Sequence, residues 1–279
     1  MHPTFLLLSF LLWPFISHVP GSLKPVIFKS LIQTDSSKKF IVDDHGAIVR
    51  GDVSKKEIAL VLTGDEFADG GTSIGETLGK HKIKAAFFLT GNFYSNPVFK
   101  KLISDLKKDG HYLGAHSDKH LLYADWTKRD SLLVSEEEFK KDLLANYERM
   151  APYGIKAADA LYFLPPYEWY NSQIARWTKQ LGLQLINFSP GTRSAADYTY
   201  PEMQARYLSS DQIYRSIIDY EEKDPHGLNG FILLIHIGTD PRRTDKFYHK
   251  LDDLITELKK RKYRFVAITN LLGVTEIRK

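Results

Sequence analysis

From Ile58 onward the chain alternates short apolar runs with longer amphipathic stretches, the texture of strands and helices in an α/β fold. The apolar runs Ile58–Leu62, Lys84–Leu89, Tyr112–Ala115, Ala160–Leu164, Leu183–Phe188, Phe231–Ile237 and Arg264–Ile268 predict seven strands. Between them, Asn96-Pro97 precedes a segment with Phe99, Leu102, Ile103 and Leu106 on one face, ending at Asp109-Gly110. Ser135 with Glu138 forms a capping box ahead of Phe139, Leu143, Tyr147 and Met150. Asn171 can cap a helix through Ile174, Trp177 and Leu181, and Asp245 one through Phe247, Leu251, Leu254, Ile255 and Leu258. Connections that carry helices imply parallel strands. Seven such units most naturally close into a distorted (β/α)7 barrel, an open doubly wound sheet being the other solution.

The first 57 residues have a different texture. Residues 1–21 contain no Lys, Arg, Asp or Glu, and Phe5–Ile16 is apolar apart from Ser9 and Pro14. Twelve residues are too few to span a bilayer, and Val19-Pro20-Gly21 reads as a small-residue cleavage site ahead of Ser22, so we expect a signal peptide over 1–21 and an exported protein with no membrane span after its removal. Over 22–57, Val26–Leu31, Phe40–Val42 and Ala47–Val49 are strand-like pieces around the turn Asp44-His45-Gly46, predicting an N-terminal β-hairpin packed on a barrel domain of residues 58–279.

Composition narrows the chemistry. The absence of cysteine excludes disulfides, thiolate nucleophiles and Cys-ligated metals, leaving His and carboxylates as metal ligands. A net charge of +4 without a basic run gives no support to a nucleic-acid partner.

Parallel α/β folds build their sites at the carboxyl ends of the strands. Strand one is followed by Thr63-Gly64-Asp65-Glu66, strand three by His116-Ser117-Asp118-Lys119-His120, and strand four by Pro165-Pro166-Tyr167-Glu168-Trp169, while strand six ends at His236. His116 and His120 lie four apart, so a helical turn would set both rings on one face to grip a divalent metal; two surface histidines are the plainer reading. Asp65 and Glu66 can diverge, one toward a metal and one toward substrate, or simply cap the next helix. Asp69, in Asp69-Gly70-Gly71, is expected to serve its turn. His236 ends a nearly wholly apolar run, which suits a packed core histidine or one poised at a site.

These residues, in this order, resemble the polysaccharide deacetylases of the NodB-homology, carbohydrate esterase family 4 type. The resemblance runs from about Gly51 to the C-terminus and extends to the flanking Lys55–Leu60 and Lys80–Gly91. It implies a distorted barrel of that type and hydrolysis of acetyl groups on a carbohydrate. By the family's T-F-D-D motif, Asp65 is the catalytic base and Glu66 a metal ligand, with Gly64 in place of Phe and Glu66 one methylene longer than Asp. His116 and His120 match the family's two ligand histidines and His236 its general acid; the divalent metal implied is Zn²⁺. The family's R-x-P-Y-G motif corresponds to Leu164-Pro165-Pro166-Tyr167-Glu168, without the Arg, and we expect Arg193 to supply that cation from the next loop. The fourth motif, with Asp and Trp, has no recognisable counterpart in 187–198. Pro166, Tyr167, Glu168, Trp169 and Arg193 are the expected substrate-binding residues, Tyr167, Trp169 and Tyr170 by stacking on sugar rings. Two alternatives stay open: a carbohydrate-binding relative that has lost catalysis, and a glycoside hydrolase pairing Asp65 or Glu66 with Glu168.

Overall fold

The computed structural model describes residues 32–34 and 39–276 of the 279. The expected leader over 1–21 and the strand-like piece Val26–Leu31 lie outside the described residues. The strands in chain order are β1 (Ile32–Thr34), β2 (Ile41–Val42), β3 (Ile48–Arg50), β4 (Glu57–Gly64), β5 (Ala86–Leu89), β6 (Tyr112–Ala115), β7 (Tyr162–Phe163), β8 (Gln184–Leu185), β9 (Phe231–His236), β10 (Arg264–Phe265) and β11 (Val274–Glu276). The helices are α1 (Gly71–His81), α2 (Gly91–Ser95), α3 (Lys100–Lys108), α4 (Glu136–Met150), α5 (Ser172–Gln180), α6 (Ser210–Lys223), α7 (Leu251–Lys260) and α8 (Ile268–Leu272). The seven expected strands are β4 to β10. The last is shorter than its apolar run because Ile268 already begins α8.

Strands β9, β4, β5, β6, β7 and β8 lie side by side in that order, all parallel, and β10 runs parallel to the foot of β4. The N-terminal hairpin is part of the same sheet. Its turn is set by Asp43, whose Oδ1 accepts the backbone N–H of His45 (3.0 Å) and Ala47 (2.9 Å), and β3 pairs antiparallel with β9 through Arg50 and Phe231. On its other side β3 reaches the far edge: Ile48 bridges Ile186 in parallel register, and the Asn187 N–H donates to the Ile48 carbonyl at 3.0 Å. The sheet thus curls into the distorted barrel, with the hairpin spanning its gap.

Alternate residues face opposite sides of a strand, which sorts the core into two layers. Ala59, Val61, Ala86, Phe88, Tyr162, Ile232 and Leu234 fill the interior together with Ile48, Ile186 and the α8 residues Ile268, Leu271 and Leu272. Ile58, Leu60, Leu62, Phe87, Leu89, Leu113, Phe163, Leu233 and Ile235 lie in the outer layer with the helices. Burial on both faces is why the strands read as unbroken apolar runs, each buried large aliphatic contributing roughly 1.5–3 kcal/mol. Ser135 and Glu138 form the expected capping box on α4, and Asn171 caps α5. Asp245 does not cap α7, which begins at Leu251 after a 3₁₀ turn; its carboxylate accepts the Ser210 N–H at 2.5 Å instead.

Candidate active site

The carboxyl ends of β4, β6, β7 and β9 open on a cleft of about 770 Å³. Asp65, Glu66, His116, His120, Tyr167, Glu168 and His236 all line it, joined by Trp126, Tyr198, Tyr200, Arg206 and Arg242. Gly64 is required by close packing, because a β-carbon there would sit 2.6 Å from Ile237 Cγ2 and 3.0 Å from Leu89 Cδ2. Asp65 is half-buried, and its Oδ1 accepts the Thr90 hydroxyl at 2.7 Å and the Asn92 amide at 3.3 Å. Glu66 is exposed. Asp69 does more than serve its turn: it accepts the Thr239 N–H (2.8 Å), the Tyr248 hydroxyl (3.0 Å) and Lys246 (2.8 Å), tying the loop after β4 to the loop after β9.

The two ring centroids of His116 and His120 are 5.1 Å apart, but no helical turn brings them there. Ser117 (φ 71°) and His120 (φ 54°) take left-handed backbone, and the Ser117 hydroxyl accepts the His120 N–H at 2.8 Å. Two side chains one turn apart on α4 hold this loop. Asn146 Oδ1 accepts the His116 N–H (2.8 Å) and Asp142 Oδ1 accepts the Lys119 N–H (3.0 Å). His116 Nδ1 sits 2.7 Å from the Leu164 carbonyl, so it carries the proton and leaves Nε2 as the free lone pair. Burial, with the neighbouring His120, pushes the His116 imidazole well below its ordinary value; burial also depresses His120, against the pull of Asp65. Two adjacent imidazoles kept neutral are a donor set that suits a divalent cation. Among the described residues, no three His, Asp or Glu side chains gather closely enough to enclose an ion, so the carboxylate ligand would have to swing in from the exposed Glu66 or from Asp65.

His236 lies at the rim of β9, where Asp197 accepts both its N–H (2.8 Å) and its Nδ1–H (2.6 Å). Burial alone would depress this imidazole; the Asp197 carboxylate, helped by Glu168, outweighs it and holds His236 above its ordinary value. Asp197, on a 3₁₀ turn over Ser194–Tyr198, is the partner of His236 that the sequence reading missed. Its one signal is that it is a carboxylate just past the fifth strand; without a Trp beside it, the motif is not recognisable.

The expected substrate-binding residues divide. Tyr167 (44% exposed) lines the cleft, and so does Glu168, whose carboxylate accepts no hydrogen bond among the described residues and is lifted by burial to about 7, with Asp197 adding to the shift and His236 opposing it. Trp169 is covered, stacked between Trp126 and Arg129 with its indole N–H on the Asp125 carbonyl, and Tyr170 and Pro166 are buried. Trp126, 53% exposed, presents the outer aromatic face in their stead. Arg193 is not in the cleft. Its N–H is bound to Ser216 on α6, and the preceding Gly191 (φ 115°) packs so tightly on Tyr220 that the loop is directed to that side.

A parallel barrel with this rim defines a class before any relative is considered: neutral histidines and carboxylates lining one cleft with a carboxylate-braced histidine. The sequence model described as "Polysaccharide deacetylase" matches residues 52–186, which bears out the resemblance to that family. It is 26% identical over 244 residues to the peptidoglycan-N-acetylmuramic acid deacetylase PdaA of Bacillus subtilis, covering 85% of this chain and 80% of the relative. It is 26% identical over 227 residues to a peptidoglycan-N-acetylglucosamine deacetylase of Bacillus cereus, covering 80% of this chain and 92% of the relative. The fold is similar to the solved structure of PdaA (TM-score 0.60, 23% identity, 86% of this chain and 96% of that one). It is also similar to a CE4 family pseudoenzyme from Bacillus anthracis (TM-score 0.63, 20% identity, 82% of this chain and 69% of that one). Among the described residues no helix is long and apolar enough to cross a membrane.

Proposed function

We propose that this protein is an exported, metal-dependent hydrolase that removes acetyl groups from a carbohydrate, with Asp65 as base and His236 as acid. The observation that carries the reading is the Asp197–His236 pair, whose imidazole lines the same cleft as His116, His120 and Asp65. The residues that would hold the ion are His116, through its free Nε2, His120 and Glu66. Such a cation, Zn²⁺ by the family resemblance, supplies an activated water and polarises the acetyl carbonyl. Asp65, fixed by Thr90 and Asn92, is set to take the proton of the attacking water. His236, its Nδ1 engaged by Asp197, carries its second proton on Nε2 and delivers it to the departing sugar nitrogen or oxygen. Tyr167 and Trp126 offer aromatic faces to a pyranose ring. The names of the relatives favour N-acetylated peptidoglycan sugars as the substrate class.

The test is acetate release by the protein recovered outside the cytoplasm, with Ser22 as its first residue, on N- and O-acetylated glycans with Zn²⁺ and after chelation. Chelation is expected to abolish release; His116→Ala should lose both metal and turnover, and Asp65→Asn should keep metal and lose turnover. A second reading, a carbohydrate-binding relative without catalysis, is favoured by the dispersed carboxylates around the two histidines. It predicts glycan retention by the metal-loaded protein with no acetate released.

A further inference from the structure

The two walls of the cleft differ in chemistry. One presents Trp126 and Tyr167, edge to face at 5.7 Å. The other is built by the 3₁₀ turns Ser194–Tyr198 and Pro201–Arg206 and by the loop after β9, and it carries two arginines. Arg242 is satisfied: both its Nε and a terminal nitrogen bond Asp240, and its guanidinium stacks on Tyr200 at 3.9 Å. Arg206 is not. It is exposed in the cleft, its recorded hydrogen bond is to the Tyr198 hydroxyl at 2.7 Å, and among the described residues it has no ion pair with a carboxylate. The ring of Tyr198 in turn lies 5.4 Å from that of His236. A permanently charged planar fork, most of its N–H directions open, is therefore held one phenol away from the imidazole. The turn that presents it carries Gln204 at φ 51°, ψ −117°, a conformation costly for a residue with a β-carbon and the kind of local strain that accumulates at ligand-contacting segments.

Neutral sugar hydroxyls do not call for an unpaired guanidinium, whereas a carboxylate matches its fork with two parallel charge-assisted hydrogen bonds. We propose that Arg206, steadied by Tyr198, is an anion subsite, and that the preferred substrate is an acidic glycan bearing a carboxylate on or beside its acetylated sugar. This rests on the deacetylase reading for the reaction but not for the binding, and the two are separable by experiment. The Zn²⁺-supplemented protein is given length-matched tetrasaccharides: all N-acetylglucosamine, N-acetylglucosamine alternating with N-acetylmuramic acid, and N-acetylglucosamine alternating with glucuronic acid. Acetate release and calorimetric binding are both read.

The expected result is at least a tenfold preference in kcat/KM for one acidic glycan over the neutral one. Arg206→Gln should cut that preference about tenfold through KM, Arg206→Lys should restore part of it, and Tyr198→Phe should weaken it two- to threefold. Raising salt from 0.05 to 0.5 M should weaken acidic binding more than neutral binding. Binding of an acidic glycan that depends on Arg206 without acetate release would sustain the subsite and remove the catalytic reading. Equal handling of acidic and neutral glycans in both readouts, or an equal loss on both in Arg206→Gln, would overturn the subsite.

Discussion

Tyr167 (φ 59°) and Glu168 (φ 53°) are consecutive left-handed residues without being glycine, an arrangement that costs roughly 1–2 kcal/mol per residue. It places a carboxyl group in the cleft beside the Asp197–His236 pair, where it adds to the field that keeps the imidazole charged. Because the folded value of His236 is raised, its protonated form persists above the ordinary imidazole range, and the activity of an acid held this way falls only when pH rises through that raised value. Asp197→Asn removes the opposing charge and leaves burial to dominate. The alkaline limb of kcat/KM should then move to lower pH, with at least about a tenfold loss at pH 7; an unmoved limb would refute the role. At this scale the histidines of the cleft were legible because they end or closely follow apolar runs, and strand ends are where such a fold exposes side chains. Asp197 and Trp126 were not, since both lie on irregular loops whose course no local pattern dictates. Arg193 misled for the same reason: its distance along the chain from the fifth strand says nothing of the side to which Gly191 turns it.

Helix α4 shows how one element serves both packing and site. Phe139, Leu143 and Met150 are buried in the outer layer, while Asp142 and Asn146 on the same helix reach the loop that carries His116 and His120. Asn146→Ala would leave the buried His116 N–H only its longer bond to the Leu89 carbonyl at 3.2 Å and loosen the loop. The expected cost is about 1–3 kcal/mol in stability, read by thermal unfolding, together with a 10- to 100-fold weaker affinity for Zn²⁺ by calorimetric titration. A metal affinity unchanged at reduced stability would show that the helix supports the fold alone. The helix start was plain in the sequence because Ser135 and Glu138 are a reciprocal pair three residues apart. The start of α7 was not, because Asp245 has the residue type of a cap but spends its carboxylate on Ser210, a contact across 35 positions of chain.

At the level of the whole molecule, order and direction of the strands follow from the alternation of runs and helices, while the closure does not. Strand β3 joins β9 through Arg50 and the segment after β8 through Ile48, contacts that depend on the curl of the entire sheet. The interior also sets a pH limit. His111 accepts the Ala85 N–H at its Nδ1 and is edge-on to Phe87, and burial, with Lys84 adding to it, lowers its value to about 4. The unfolded chain therefore takes up this proton first. Stability should fall as pH drops from about 6.5 toward 4, by up to about 1.4 kcal/mol per pH unit from this group. Urea midpoints measured across that range should fall less steeply in His111→Gln than in the parent protein, whatever the offset between the two curves; parallel curves would exclude His111 as the source.

The pairing of β1 with β11, residues 32–34 against 274–276, bears on when the fold can form. The residues proposed for catalysis and metal binding are all synthesised once His236 has been made, yet β4, which leads into Asp65 and Glu66, receives its neighbour β10 only at residues 264 and 265. A nascent chain that has not reached residue 264 thus has these chemical groups and neither of the two pairings. The strand beside the one that leads to Asp65 thus follows the groups it helps to hold, and a growing chain stays open on that side until residues 264 and 265 are available.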